Sequence, residues 1–395
     1  DDVRELTPLE LIRAVLIAPV DLIYNGGVGT YVKAESETNA DVGDRANDAI
    51  RVNGSQLRAR VVVEGGNLGF TQAGRIEAAQ KAGTVNNTDA IDNSGGVESS
   101  DREVNIKILM DAAVRDGRLA FDDRPALLAE MTDNVADAVL STNKAQNVLL
   151  AVERGVASEF APAYERLMSF LEETVDLDRA LEDLPSSDEF KLRRQSGAGL
   201  TTPEAAVVVA YTKMQLIDAL VDSDLPEDPA MQKVLEAYFP PQLVERFPDA
   251  LTAHPLRREI IATMVANRIV NIGGVTYAFR AMEETGADAA RLARAFLAMD
   301  EVFGIAQHVE AIAQLPAGID YELWLQLHVD SRRLLDRATR WVLEHESLDA
   351  SVDEILAKFA EPVARLREGL ADMLCGVDAE RARAWFERDV EVGLP

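Results

Sequence analysis

Two short stretches of this chain gather residue types that suit ligand binding. The first is Glu64-Gly65-Gly66-Asn67, at the end of a β-branched run. Gly65 and Gly66 would let the backbone come close to a ligand, and Asn67 offers both a donor and an acceptor, suited to an amide or a sugar hydroxyl. The second is Asp89 to Ser100, in which Asn93 is followed by Ser94, Gly95, Gly96 and Val97. Bare glycines there admit a flat ring or a carboxylate near main-chain N–H groups. Ser100 falls in the first turn of the helix that follows, where a hydroxyl, free N–H groups and the helix dipole suit an anionic oxygen. Val97 lies three residues before Ser100 and shares its side of the helix. Each stretch also has a structural reading. The first is a strand-to-helix turn whose Asn and Gly tolerate positive φ. In the second, Ser100-x-x-Glu103 is a capping box, or Ser99 is the cap. The residues by themselves leave both readings open.

Other chemistry is thinner. Tyr24 to Lys33 (YNGGVGTYVK) looks like a phosphate loop but has neither G-x-G-x-x-G nor a following Gly-Lys-Ser/Thr. It reads as a strand-end turn bordering a ligand, with Lys33 at the surface. His254, His308, His328 and His345 lack metal-ligand spacing, and the single cysteine, Cys375, rules out a zinc pattern, so no metal is expected. His328 follows Trp324 by one turn, which points to packing. No G-x-S-x-G elbow occurs.

The elements that would position these groups alternate in the first third. Thr7, Pro8 and Glu10 open a helix with a capping box. Val20–Asn25 and Arg60–Asn67 read as strands, Asn39–Val52 and Thr71–Ala82 as helices, the latter closed by Gly83. Such alternation predicts βαβ units and a parallel sheet. Beyond about Val97 every further candidate is helical: Val97–Asp116, Pro125–Leu140, Ala145–Glu172, Pro203–Val221, Pro255–Ile272, Asp288–Phe303, Tyr321–His345 and Ser351–Met373. Leu181–Glu204, acidic and punctuated by Pro and Gly, reads as a linker or exposed loop. Ile261, Val265 and Ile269, four apart, read as a core stripe rather than a subunit contact. The fold class expected is α/β followed by all-α.

At 395 residues, two or three domains are expected. The net charge of −28 argues against nucleic acid and anionic membranes as partners. One cysteine fits a reducing, cytoplasmic setting, and the notable apolar run Ala205–Tyr211 falls far short of the roughly 20 residues of a membrane span. The chain opens on Asp1-Asp2 rather than Met, which reads as a processed chain or a piece of a longer one.

Taken together, the two stretches carry a resemblance that neither carries alone. Glu64-Gly65-Gly66-Asn67 is similar to the E-G-A-N strand end of glutamate dehydrogenases, with Gly66 in place of Ala. Asp89, Ile91, Asn93, Gly95, Gly96, Val97, Ser100 and Glu103 match their D-I-x-x-N-A-G-G-V-x-x-S-x-x-E. NGGVGTYVKAESETNADVGDRANDAI and NLGFTQAGRIEAA resemble the large-subunit, NAD-dependent branch. The resemblance is specific over about Val20 to Ile108. It implies NAD as cofactor, with Gly65, Gly66, Asn67 and Asn93 on the cofactor side: Asn67 at the junction of nicotinamide ribose and substrate, Asn93 beside the nicotinamide. It implies Val97 against the carbon chain of the substrate and Ser100 on the distal carboxylate of L-glutamate or 2-oxoglutarate, a charge-assisted bond of about 1.5–3 kcal/mol. The expected reaction is oxidative deamination of glutamate to 2-oxoglutarate and ammonia. The family's catalytic lysine and Gly-rich dinucleotide turn lie upstream of the matched segment. Lys33 and Lys107 are not at matching positions, so no catalytic residue is assigned. The expectation is then residues 1–117 as the C-terminal half of a Rossmann-like cofactor domain and residues 118–395 as a helical domain, part of a larger homo-oligomeric enzyme and inactive alone. Two alternatives stand beside it: a non-catalytic helical assembly or regulatory module, and a related dehydrogenase of another amino acid.

Overall fold

A computed structural model describes residues 5–394. They form two compact units, one of residues 5–212 with 239–254, the other of 213–238 with 255–394. Helices dominate both, and every strand among the described residues lies in the first.

In the first unit, strands β1 (Leu22–Asn25) and β4 (Val61–Glu64) pair in parallel, from Leu22 opposite Val61 to Asn25 opposite Glu64. Val85 bridges the other side of Val61, also in parallel. Strands β2 (Val32–Lys33) and β3 (Val52–Asn53) make a second small parallel pair. Their apolar residues meet in one core of Val32, Val52, Leu57, Ala59, Val62, Phe70 and Ala78. The helices of this unit include α1 (Pro8–Leu16), α2 (Asn39–Val42), α3 (Gln72–Glu77, running on through Ala82), α4 (Asp89–Asp92), α5 (Ser94–Arg115), α6 (Arg124–Glu130), α7 (Thr132–Thr174), α8 (Ser187–Gln195) and, as far as Thr212, the first half of α9 (Thr202–Val221). The expected capping box opens α1: Thr7 N and Oγ1 each donate to Glu10 Oε2 at 2.8 Å.

Three expectations give way. The helix predicted over 39–52 stops at Gly43, whose φ of 76° suits glycine and ends α2. The chain then turns and enters β3, where Val52 N donates to Tyr31 O at 3.0 Å. Arg51, 4% exposed, secures this turn by donating to Thr30 O, Asn39 Oδ1 and Asp48 Oδ1 at 2.6–2.9 Å. Second, α7 runs unbroken for 43 residues through the break expected near residue 142 and past Pro162. Third, the supposed linker is ordered. Ser186 and Glu189 cap α8, and Glu204 is fully buried, accepting from Arg193 Nη1 at 2.7 and 2.9 Å. Its acidity reflects a buried ion pair as well as a solvated surface.

Every named element among the described residues of the second unit is a helix, and Ile261, Val265 and Ile269 are at most 1% exposed, a core stripe as expected. The alanine-rich helix Ala289–Phe303 is buried along most of its length and packs against helices Tyr321–His345 and Val352–Met373. On the former, the His328 ring sits 4.5 Å from that of Trp324, centroid to centroid. Burial pushes the His328 pKa down to about 3, helped by Arg332 and His308.

That shift fixes a pH dependence. The unfolded ring titrates near 6.5, so below that pH the unfolded chain binds a proton the folded unit refuses. Stability is full above about pH 6.5 and declines toward pH 3, by up to about 1.4 kcal/mol per unit. All three tryptophans (Trp324, Trp341 and Trp385) lie in this unit, so their fluorescence reports its unfolding alone. Denaturant titrations should show about 2 kcal/mol lost between pH 7 and pH 5. His328→Leu should abolish most of that loss; an equal loss in the variant would rule out the assignment.

Candidate functional site

The site is assembled at the carboxyl ends of the parallel strands, where ligands bind in open α/β sheets. β4 ends at Glu64 and the chain turns through Gly65, Gly66 and Asn67 before α3. The Val85 segment leads through Asn86 and Asn87 into α4, whose last residues precede Asn93 and α5. The two turns meet directly: Asn93 Nδ2 donates to Asn67 Oδ1 at 2.7 Å. Asn67 Nδ2 and Asn93 Oδ1 make no hydrogen bond to another described residue, so a donor and an acceptor stand side by side at the surface. That pair complements a primary carboxamide, which presents one C=O and one NH2. The donor set therefore fits the nicotinamide end of a dinucleotide.

α5 begins at Ser94, one turn earlier than the sequence suggested, so Ser100 lies in the second turn. No side chain caps the helix; Asn93 occupies the N-cap position with its amide turned toward Asn67. Neither Ser99 nor Ser100 is a cap. Ser99 Oγ donates to Gly95 O and Ser100 Oγ to Val97 O at 2.7 Å, while Glu103 pairs with Lys107. Val97 (71% exposed) and Ser100 stand in solvent. Lys33 is half-buried and donates to Asn53 Oδ1 at 2.8 Å, a structural contact.

The glycines have an internal explanation. A Cβ on Gly65 would lie 2.2 Å from the Tyr24 hydroxyl, and one on Gly66 would lie 2.3 Å from Gly27 O. Neither has positive φ; the left-handed residue of this turn is Leu68, at 57°. Their bareness lets the strand ends of β1 and β4 approach each other, and Tyr24, 66% exposed, lies across them.

Behind the turns lies a charge cluster. Arg75 Nε and Nη2 grip Glu64 Oε1 and Oε2 at 2.6 and 2.9 Å, and Nη2 reaches Asp89 Oδ1 at 3.1 Å. Glu64 N donates to Asp92 Oδ2 at 2.9 Å and Leu68 N to Asp89 Oδ2 at 2.7 Å. Burial raises the Glu64 and Asp92 pKa values above the ordinary range; Arg75 pulls Glu64 back, as the Asn87 amide does Asp92. From α7, Asn143 Nδ2 donates to Ile91 O and Ser94 Oγ, each at 2.9 Å, fixing the junction of α4 and α5. Asn147 Oδ1 accepts from Asn87 Nδ2 at 2.8 Å. These amides border a cleft of about 470 Å³ between β4 and α7. Sequence reading missed Arg75, Asp92, Asn143 and Asn147. The two asparagines stand four apart on one helical face, a visible signal; Arg75 left none.

Fold and site define the class as a protein whose small parallel sheets carry two joined, amide-bearing turns on strand ends, backed by helices. Comparison with known proteins narrows it. The model for "Glutamate dehydrogenase, C-terminal" matches residues 197–395, and that for "Bacterial NAD-glutamate dehydrogenase, catalytic domain" matches residues 2–153. The chain is 44% identical over 376 residues to an NAD-specific glutamate dehydrogenase of Mycobacterium tuberculosis, covering 95% of this chain and 23% of that protein. The NAD-specific glutamate dehydrogenases of Halomonas elongata (43% over 391 residues) and Pseudomonas aeruginosa (44% over 392) each cover 99% of this chain, which covers 24% of each. The chain belongs to the glutamate dehydrogenase family. It spans about a quarter of the length of these relatives.

The packing at Gly66 yields a test. Gly66→Ala restores the alanine of the E-G-A-N motif but drives a methyl into Gly27 O. It should cost about 1–3 kcal/mol and lower the thermal midpoint of the first unit. An unchanged midpoint would mean that the β1 turn yields freely.

Proposed function

We propose that the protein to which this chain belongs is an NAD-dependent dehydrogenase that deaminates L-glutamate to 2-oxoglutarate and ammonia, and that this chain forms one wall of its site. The single observation that carries the reading is the 2.7 Å bond between Asn93 and Asn67. It joins the two family-like turns into one surface, with Val97 and Ser100 on the helix that leaves it. The parallel order β1, β4, Val85 supports reading these strands as part of a Rossmann-like sheet, the cofactor region ending near residue 117.

Asn67 and Asn93 would hold the carboxamide of the nicotinamide, through the donor and the acceptor that their mutual bond leaves over. NAD, when bound, would supply the hydride acceptor for oxidation at the α-carbon of glutamate. Val97 covers the methylene chain of the substrate; full burial of such a side chain contributes about 1.5–3 kcal/mol. Ser100 Oγ turns from Val97 O, where it now donates at 2.7 Å, to the distal carboxylate. Exchanging a neutral acceptor for a charged one favours that turn. The lysine and carboxylate that handle protons are contributed by other parts of the polypeptide.

The discriminating residue is Ser100. In the full-length protein, Ser100→Ala should raise the KM for glutamate about tenfold to a hundredfold, the equivalent of about 1.5–3 kcal/mol, with the KM for NAD within about twofold. Ser100→Leu should shift preference from glutamate toward leucine. A glutamate-to-leucine ratio of kcat/KM that survives both changes would refute the role of Ser100.

A further inference from the structure

The cluster behind the turns is arranged in a way that ordinary core packing does not require. One guanidinium, Arg75 (5% exposed), faces three carboxylates: Glu64 (1% exposed), Asp89 and Asp92. Each carboxylate also accepts a backbone N–H from the stretch that carries Asn67: Glu64 Oε2 from Phe70 N at 3.1 Å, Asp89 Oδ2 from Leu68 N at 2.7 Å, Asp92 Oδ2 from Glu64 N at 2.9 Å. Asp89 and Asp92 belong to α4, which delivers Asn93. The backbone of one turn is thus suspended from the helix that delivers the other, and Arg75 ties the two together. Arg75 O in turn accepts from Asn86 Nδ2 at 3.1 Å, which holds the segment leading into α4.

We infer that Arg75 is a positioning residue of the cofactor site, holding Asn67 and Asn93 in register so that their free donor and acceptor meet the carboxamide of NAD together. The inference rests on the cofactor reading given above. Like charges concentrated in a buried place repel, and the carboxylates keep their N–H bonds only while a cation stands among them. A planar fork satisfies two carboxylates at fixed angles; an ammonium supplies the charge without that geometry. Loss of the fork should let the Leu68 N to Asp89 bond slacken and Asn67 drift from Asn93. Arg75 is 5% exposed and engaged with Glu64 and Asp89 beneath the turns, so its effect on a ligand at the surface passes through the two asparagines.

Because it acts through them, the test is a double-mutant cycle on equilibrium NADH binding, followed by the fluorescence of the dinucleotide, in the full-length protein. Asn93→Ala should weaken binding about tenfold with an unchanged thermal midpoint. Arg75→Lys should also weaken it about tenfold, and the double variant should lose about tenfold rather than a hundredfold. Should Arg75→Lys fail to fold, Asp89→Asn takes its place in the cycle, since its amide can satisfy only one of Leu68 N–H and Arg75. If Asn93→Ala and Asn67→Ala both leave NADH binding intact, the cofactor reading itself fails. If those two weaken it but Arg75→Lys stays within about twofold of the native protein, or if the losses multiply to about a hundredfold, the cofactor reading survives and the positioning role falls.

Discussion

A guanidinium buried among three carboxylates is the constraint around which the strand-bearing unit is arranged. A bidentate ion pair of this kind contributes little net stability, because desolvation of both partners offsets most of the attraction. What it does is make alternatives costly. With Glu64 1% exposed, any conformation that pulls it from Arg75 strands a charge inside the protein. The end of β4, the start of α3 and the whole of α4 are therefore fixed relative to one another, and the Asn67 and Asn93 turns inherit that fixity. The amide pair they present is exposed, but the backbone beneath it is not free to move.

The same logic extends outward. α7 reaches the site through Asn143 and Asn147, whose amides satisfy the carbonyl of Ile91, the hydroxyl of Ser94 and the amide of Asn87. Thr142 on the same helix donates to Glu98 at 2.9 Å, which also pairs with Arg102. A helix of 43 residues is a stiff support for this purpose, and its position is set by fully buried residues such as Leu149, Leu150 and Val152. The chain thus places a serine hydroxyl and two amides on elements held by buried polar bonds and a packed core.

Much of this could be read from the chain and some could not. Local signals were legible: the Thr7 and Glu10 box, the Gly83 stop at φ 70°, and the period-four stripe of Ile261, Val265 and Ile269. The juxtaposed motifs about Asn67 and Asn93 were legible as a pattern, and their hydrogen bond is the spatial counterpart of that pattern. Residues that act across distance were illegible. Arg75 meets Glu64 from 11 residues away, where no periodicity links them. Glu204 stands where the expected loop meets the expected helix, and nothing in the chain marks Arg193, 11 residues earlier, as its partner. The glycines misled in a more instructive way. Gly65 and Gly66 suggest either a ligand or positive φ, yet the space beside them is filled by Tyr24 and Gly27. That crowding arises from the pairing of β1 with β4, which brings residues about 40 positions apart together.

The most direct measurement is the crystal structure of the full-length protein with NADH bound. The account predicts the carboxamide of the nicotinamide within hydrogen-bond distance of both Asn67 Nδ2 and Asn93 Oδ1, with the bond between the two asparagines preserved. A carboxamide bound elsewhere, with the asparagine pair facing open solvent, would contradict it.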